Sequence, residues 1–412
     1  MAKKPDYVLL AAGKGTRLWP ITEETPKVMI RIMEKPILEW MVDGIVGHAG
    51  RIIVVVGAGK EKIIAHFAGK PYRKKMVFVE QAKQLGTGHA LLQAEKFVGG
   101  DFVVLNADTF FDPSVFSLLR KKAKPGNYFA VAKAVPDASK YGVYTVKNGM
   151  VAGLVEKPAK AEEGLINTGL FHLPKRFFSL IRKIGVSPRG EYELTDAVLA
   201  FAKKEGLKAL EFKDYWNDTG YYWNYLDANA FALENLMPKK IFGKVESGVT
   251  IKGKVFVGKG AILKAGTYIE GPAWIGEEAV IGPRAYLRPN SAIESHCHIG
   301  NGTETKNSII MRHSNAAHLS YVGDSILCEH VNLGAGTMLA NLRFDDAPVK
   351  VTVGGKRIPS EKRKLGCAMG EGTKTGANVV VNPGILIGSH CFIYPGTVVS
   401  KNLDSGTVAR RR

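Results

Sequence analysis

The apolar run Tyr7–Ala11 leads straight into Ala12-Gly13-Lys14-Gly15-Thr16-Arg17-Leu18. Small residues at such a strand–loop junction let backbone N–H groups approach phosphate oxygens closely. The loop is not a P-loop, because the spaced Gly-Lys-Ser/Thr ending is missing, and it is not Gly-x-Gly-x-x-Gly. Alone, Gly-Lys-Gly after a strand reads equally well as a turn. Histidine exchanges protons near neutral pH, which makes His318 a candidate base. Without context it reads as a structural histidine. The four cysteines, Cys297, Cys328, Cys367 and Cys391, form no CxxC pair and no zinc-like His–Cys spacing. Buried, reduced, unreactive thiols are expected there.

The elements that must carry these residues fall into two rhythms. Strand runs are predicted at 7–11, 52–56, 76–79, 102–106, 128–134 and 170–172. Helical runs are predicted at 37–46, 61–68, 87–96, 115–123, 176–184 and 195–205. Strand–helix alternation predicts an α/β sheet with helices on both faces, and ligands at the carboxyl ends of its strands. Residues 221–236 predict a bridging helix, stopped by Pro238. Beyond residue 241, Ile251, Val257, Leu263, Ile269, Ile275, Ile281, Leu287, Ile293 and Ile299 fall six residues apart without a gap. Leu327, Leu333 and Leu339 form a second run, and Val381, Ile387, Ile393 and Val399 a third. A strict hexad is neither a helical nor an ordinary strand period; it predicts a parallel β-helix with three hexads per triangular coil. Gly258, Gly276, Gly282 and Gly300 directly follow four of the apolar positions and are expected to allow tight corners. Residues 301–322 shift the register. Residues 343–366, with Lys350, Lys356, Arg357, Lys362, Arg363 and Lys364, predict an extruded basic loop.

Composition sets outer limits. The chain has 412 residues, too many for one ordinary domain, and 45% are hydrophobic, enough for sizeable cores. A formal charge of +19 points to anionic partners. The N-terminal apolar run is too short for a signal-peptide core, and no stretch approaches the roughly 18 apolar residues of a membrane span. A soluble, cytoplasmic protein is expected. No nucleic-acid-binding module is recognisable, so the charge alone does not argue for one.

The loop residues Leu10–Leu18, followed by Pro20 and Pro26-Lys27, resemble the signature of the sugar-1-phosphate nucleotidylyltransferases. The resemblance continues in family order through Gln84-Leu85-Gly86-Thr87-Gly88-His89-Ala90, Asn106-Ala107-Asp108, Tyr141-Gly142, Glu156-Lys157-Pro158, Asn167-Thr168-Gly169 and Trp216-Asn217-Asp218-Thr219-Gly220. It implies a Rossmann-like α/β domain that joins a sugar-1-phosphate to the α-phosphorus of UTP or dTTP and releases pyrophosphate. Leu10, Ala12, Gly13, Gly15, Thr16, Gln84, Gly86 and Thr87 would bind the nucleotide. Arg17 would offer a bidentate fork to the triphosphate and Lys27 a point charge near the α-phosphate. Asp108 and Asp218, each at a predicted strand end, would hold Mg²⁺. Glu156 and Asn167 would hold sugar hydroxyls beside Gly142, and Lys157 the sugar phosphate.

In the second half, Arg284–Pro289, Lys306, His318–Asp324, Asn332–Thr337 and Asn341 resemble the acetyltransferase domain of the bacterial enzymes that make UDP-N-acetylglucosamine. That resemblance implies a left-handed β-helix, a homotrimer, and acetyl transfer from acetyl-CoA to an amino-sugar-1-phosphate. His318 would be the base. Arg288 and Lys306 would bind the sugar phosphate, and Tyr321 with Asn332 or Asn341 would orient the sugar. Lys350 and its basic loop would meet CoA phosphates. The bacterial pattern continues Tyr-Asp-Gly after Asn341, whereas this chain has Leu342-Arg343-Phe344. The acceptor is therefore left open between glucosamine- and galactosamine-1-phosphate. The expected domains are 1–220 for nucleotidyl transfer, 221–240 for a linker helix and 241–412 for acetyl transfer. Two rival readings also fit both folds: a single-activity pyrophosphorylase with a regulatory β-helix, and a non-catalytic regulatory subunit.

Overall fold

The computed structural model describes residues 4–160 and 162–410. The chain divides into two compact units. The first holds residues 1–14, 26–29 and 36–218, and the second holds 15–25, 30–35 and 219–412. Arg411 and Arg412, whose basic character has no sequence-level account, lie outside the described residues. Arg410 lies over the Tyr394 ring at 4.8 Å.

The first unit is built on a nine-stranded sheet. Its strands run in the spatial order 76–80, 52–56, 6–11, 102–106, 164–173, 129–135, 208–211, 150–156, 142–147. The first four are parallel, Asp6–Ala11 pairing on one side with Ile52–Val56 and on the other with Phe102–Asn106. The three inner ones, 52–56, 6–11 and 102–106, are almost wholly buried and mostly apolar, as expected of strands covered on both faces, whereas the edge strand 76–80 is only partly buried. Strand order reverses between 6–11 and 102–106, so a crevice opens where both chains leave the sheet. The hairpin Gly142–Lys147 and Met150–Glu156 is absent from the sequence prediction. Its turn, Asn148-Gly149, has positive φ at both residues, the geometry that favours Asn-Gly. The predicted strand 170–172 is the end of a ten-residue strand, Gly164–Leu173. The predicted helix 87–96 stops as an α-helix at Gln93, and 176–184 shortens to a 3₁₀ turn and Phe178–Ile181.

The second unit is a left-handed parallel β-helix with three parallel sheets as its faces. From Thr250 to Tyr286 each strand pairs with the strand 18 residues on, as Tyr268 does with Tyr286 and Val280 with His298, and from Ala292, which pairs with Ile309, it does not. The interval then drops to 17, as in Glu304 to Tyr321 and Tyr321 to Met338. The register shift at 301–322 thus belongs to two successive coils, each one residue shorter. The short steps precede Ile310 and Leu327, while Thr305 and Ala316 take core positions. Next, all three sheets jump by 42 residues, from Ile326 to Ala368, Asn332 to Lys374 and Met338 to Val380. The excess is residues 343–366, which fold out as the hairpin Lys350–Val353 and Lys356–Pro359.

One residue per hexad fills the axis, from Val257 to Val399, nearly all without exposure. A residue two places earlier, mostly small, also points inward, and Cys297, Cys367 and Cys391 occupy that position. All four cysteines are free and buried; burial pushes the Cys367 thiol up to about 12. Of the four glycines after core residues, Gly282 has φ 95° and does turn the chain, whereas Gly258, Gly276 and Gly300 serve close stacking. A Cβ on Gly258 would stand 2.6 Å from Glu277 N of the next coil, and those on Gly276 and Gly300 would overlap backbone outright. The left-handed corners fall two residues later, at Gly260, Glu278 and His296. His296, His313 and His330 occupy successive corners with their rings stacked 4.8 and 5.0 Å apart. The helix Tyr222–Asn235 belongs to this unit: Tyr222 Oη donates to Gly366 O at 2.9 Å, and Asp227 pairs with Lys362 at 2.7 Å.

If one hexad residue supports each coil, Ile299→Ala should cost about 2–5 kcal/mol and Ile299→Val about 0.5–1.5 kcal/mol. Denaturant unfolding of the two variants measures the difference.

Candidate functional site

Buried strand residues end at Ala11 and Ala12, and the chain then exposes Gly13 and Lys14. Among the described residues nothing lies within 4 Å of where a Cβ on Gly13 would stand. The Ala12 carbonyl is held by Gln84 Nε2 at 2.6 Å, tying the expected base-binding segment to the loop at Gly13. Gln84 Oε1 then remains for a ligand. Leu10 O accepts from Ala107 N at 3.0 Å, carrying the pairing of the two central strands up to Asp108.

Lys27 lies in a 3₁₀ turn and is 5% exposed. A buried ammonium needs hydrogen-bonding oxygen around it. Lys27 Nζ donates to Asp108 Oδ2 at 2.6 Å and to the Asp218 carbonyl at 3.3 Å. The short strand Trp216–Asn217 pairs antiparallel with Phe110–Phe111, which brings Asp218 opposite the Asp108 strand end. Three residues more than 80 positions apart in sequence thus meet at one point. Asp108 and Asp218 are hard oxygen donors, the class Mg²⁺ prefers. No group of three or more His, Cys, Asp or Glu side chains among the described residues could hold a metal. A two-carboxylate site completed by substrate phosphates and water suits Mg²⁺ and fits this pair.

Gly86 has φ 102° and ψ 174°, a region open to glycine alone. Its carbonyl accepts from the buried Gln81 at 3.1 Å, a residue without an assigned role in the motif. Thr87 Oγ1 accepts from Leu194 N at 3.0 Å. In the sugar region, Asn167 Oδ1 accepts from Tyr144 Oη and Gly169 N, both at 2.9 Å. Its Nδ2 is left to donate. Burial, with Glu156 adding, holds the Tyr144 phenol well above its ordinary pKa, so it stays a neutral donor. Glu156 pairs in register with Gly142, and a Cβ there would stand 3.1 Å from the Glu156 carboxylate. Lys157 follows with φ 47° and is exposed. Arg17, Gly15 and Thr16 group with the second unit. Gly15 has φ 69°, opening the turn Thr16–Leu18, and the Arg17 guanidinium lies 5.3 Å over the Tyr221 ring.

The second set of residues forms a compact polar cluster on the β-helix. Asp324 is 4% exposed and accepts from Asn341 Nδ2 at 2.6 Å, Asn307 Nδ2 at 2.8 Å and Lys306 Nζ at 3.5 Å. Asn341 Nδ2 also donates to Tyr321 Oη at 3.0 Å. Burial raises the Tyr321 pKa, aided by Asp324 and Glu304 against the Asn341 bond. Arg288 pairs with Glu304 at 2.9 Å. Asp324 was legible by coil arithmetic, since Lys306 pairs with Gly323 beside it. His318 and Asn332 sit elsewhere: both are exposed on the sheet that holds Asn315 and Asn332. A third feature surrounds the extruded hairpin, where Lys350 joins Arg343, Phe344, Arg357 and Lys401 around a cavity of about 790 Å³. Arg343 there is paired with Asp345.

The nucleotidyl transferase family model matches residues 6–235. The GMPPB C-terminal domain model matches 269–363, and the bacterial transferase hexapeptide model, six repeats, matches 366–401. A Methanocaldococcus jannaschii protein named bifunctional protein GlmU is 41% identical, covering 99% of this chain and 98% of its own. A Sulfurisphaera tokodaii bifunctional sugar-1-phosphate nucleotidylyltransferase/acetyltransferase is also 41% identical, covering 97% and 98%. Among solved structures, a putative glucose-1-phosphate thymidylyltransferase from Bacillus anthracis aligns at TM-score 0.51 and 25% identity, over 55% of this chain and 94% of that one.

A methyl group on Gly86 would be strained at its φ and would stand 2.7 Å from Tyr192 O. If the segment around Gly86 meets the nucleotide as expected, Gly86→Ala should weaken nucleoside triphosphate binding by about tenfold or more, roughly 1.4 kcal/mol, in isothermal titration.

Proposed function

The chain belongs to the nucleotidyl transferase family, and within it to the bifunctional sugar-1-phosphate nucleotidylyltransferase/acetyltransferases; on that premise we propose how its residues divide the two reactions. It is an enzyme with both a nucleotidyl-transfer and an acetyl-transfer activity. That excludes a β-helix with only a regulatory part and a non-catalytic subunit.

In the first reaction a phosphate oxygen of the sugar-1-phosphate attacks the α-phosphorus of UTP or dTTP. The bond from that phosphorus to the bridging oxygen breaks, and pyrophosphate leaves. Such transfers depend on positioning and on neutralising charge. The observation that carries the reading is the Lys27 ammonium held between Asp108 Oδ2 and the Asp218 carbonyl at the carboxyl edge of the sheet. Lys27 would meet the α-phosphate and Arg17 the outer phosphates. Asp108 and Asp218 would hold Mg²⁺, which when bound would offset phosphate charge. Backbone around Gly13 would cradle the phosphates, and Gln84 with Gly86 would meet the base. Asn167 Nδ2 and Glu156 would hold sugar hydroxyls, Gly142 leaving room for them, and Lys157 would pair with the sugar phosphate.

In the second reaction the neutral amine nitrogen of glucosamine- or galactosamine-1-phosphate attacks the thioester carbonyl carbon of acetyl-CoA and gives up a proton to His318 as the N–C bond forms. The C–S bond breaks, and CoA leaves as thiolate, which can take that proton back from His318. Lys306 and Arg288 would bind the sugar phosphate, while Tyr321 and Asn341 orient the sugar. Lys350 and the cations of the neighbouring cavity would meet the CoA phosphates. Because His318 and Asn332 lie on a different sheet from Arg288 and Lys306, a second copy would complete the site, and the assembly proposed is a homotrimer. Sedimentation of monomer alone would count against it. Nucleoside triphosphates and acetyl-CoA are made and held inside cells, so a cytoplasmic location belongs to the same reading.

Two substitutions separate the reactions. Asp108→Asn should lower pyrophosphate release by about 10²-fold or more and leave acetyl transfer intact. His318→Ala should lower acetyl transfer by about 10²–10⁴-fold and spare pyrophosphate release. EDTA should abolish the first reaction, restored by Mg²⁺. Acetyl transfer at the normal rate in His318→Ala would remove the base assignment. Sugar-1-phosphates tested against UTP, dTTP, ATP and GTP, with and without acetyl-CoA, identify the substrates.

A further inference from the structure

The segment that carries Arg17 and Lys27 is fastened on both flanks to the β-helix unit. On one flank, residues 15–25 belong to that unit. Glu23 accepts hydrogen bonds from Ser389 N at 3.1 Å and from Ser405 Oγ. Burial opposes ionisation there, but these bonds and nearby His390 outweigh it and hold the carboxyl below its ordinary pKa. On the other flank, residues 30–35 form a tight hairpin of the same unit, Arg31–Ile32 against Lys35–Pro36. Its two turn residues, Met33 and Glu34, have φ 50° and 61°. Adjacent non-glycine residues persist in the left-handed region only where their surroundings fix them. The fixing contacts are present. Glu34 accepts from Ser295 N at 2.9 Å, Ser295 Oγ at 2.6 Å, and Trp274 Nε1 and Arg312 Nε at 3.2 Å. Arg31 Nη2 bridges Glu294 and Glu329, at 2.6 Å each.

We propose that Glu23 and Glu34 are positioning residues for nucleotidyl transfer: through them, β-helix corners hold the chain that presents Arg17 and Lys27. The inference rests on the roles proposed above for those two cations, and goes beyond them by giving the second unit a part in the first reaction. Neither carboxylate is placed against substrate. Each acts by restricting where its end of the segment can go, and displacements of about 1 Å at a reacting group cost about 10²-fold in rate.

The test uses the full-length enzyme with both activities measured. Glu23→Ala and Glu34→Ala are expected to lower kcat for pyrophosphate release by about 10–100-fold, with KM for the sugar phosphate nearly unchanged and acetyl transfer at the wild-type rate. Glu34→Gln keeps an acceptor for Ser295 and should restore most of kcat, a rescue that general loosening of the fold would not produce. Arg31 is avoided because its loss would strand the buried Glu294. If both alanine variants keep kcat within about twofold, or if acetyl transfer falls in step with nucleotidyl transfer, the positioning role is overturned. Lys27→Ala in the same assay keeps the two readings apart. A normal rate there removes the catalytic assignment, whereas a slow Lys27→Ala beside normal Glu23 and Glu34 variants removes only the positioning.

Discussion

Each coil of the β-helix must set its three strands back over those of the coil below, because the backbone hydrogen bonds that hold the prism together run only between coils. That demand fixes the interval at 18 residues, tolerates 17, and requires any longer excursion to leave all three faces at once. Much else follows from it. The axial column takes one large apolar side chain per hexad, and the position two residues earlier is mostly small, with Val or Ile at a few coils. Glycine is needed where coils approach too closely for a Cβ. The polar cluster arises in the same way, since Lys306 and the residues beside Asp324 are brought together by being one coil apart.

The α/β unit answers to a different constraint, the cost of burying charge. An ammonium as enclosed as that of Lys27 requires oxygen partners. The sheet supplies them where strand order reverses, because chain ends from distant parts of the sequence converge there. The oxygens Lys27 finds are the Asp108 carboxylate and the Asp218 backbone carbonyl.

The sequence made the hexads legible because a six-residue period has no other common structural meaning, and the structure follows them from Val257 to Val399. It also made the parallel strands 7–11, 52–56 and 102–106 legible, since each is a continuous apolar run. What escaped was set by long-range contact. Gln81 and Tyr144 carry no local signal; they matter because Gly86 and Asn167 fold against them. Asp324 lay within a motif without a role of its own, and only the coil interval that sets Lys306 against Gly323 points to it. The hairpin at Asn148-Gly149 was present as a turn dipeptide but was obscured by the exposed residues of its strands. Nor does the pattern of residues 15–35 reveal that its flanks belong with the β-helix, since that grouping depends on side chains more than 250 positions away.

The equal jump of all three sheets across residues 343–366 has an evolutionary consequence. The hairpin leaves the prism and returns to the same rung, so the coils above and below stack as though it were not there. Lengthening or rewriting its exposed tip at 354–357 would leave the hydrogen-bond ladder in step. Its base is less free, because Val349, Val351 and Leu365 are buried there; change is easy at the tip of the hairpin and costly where it joins the column.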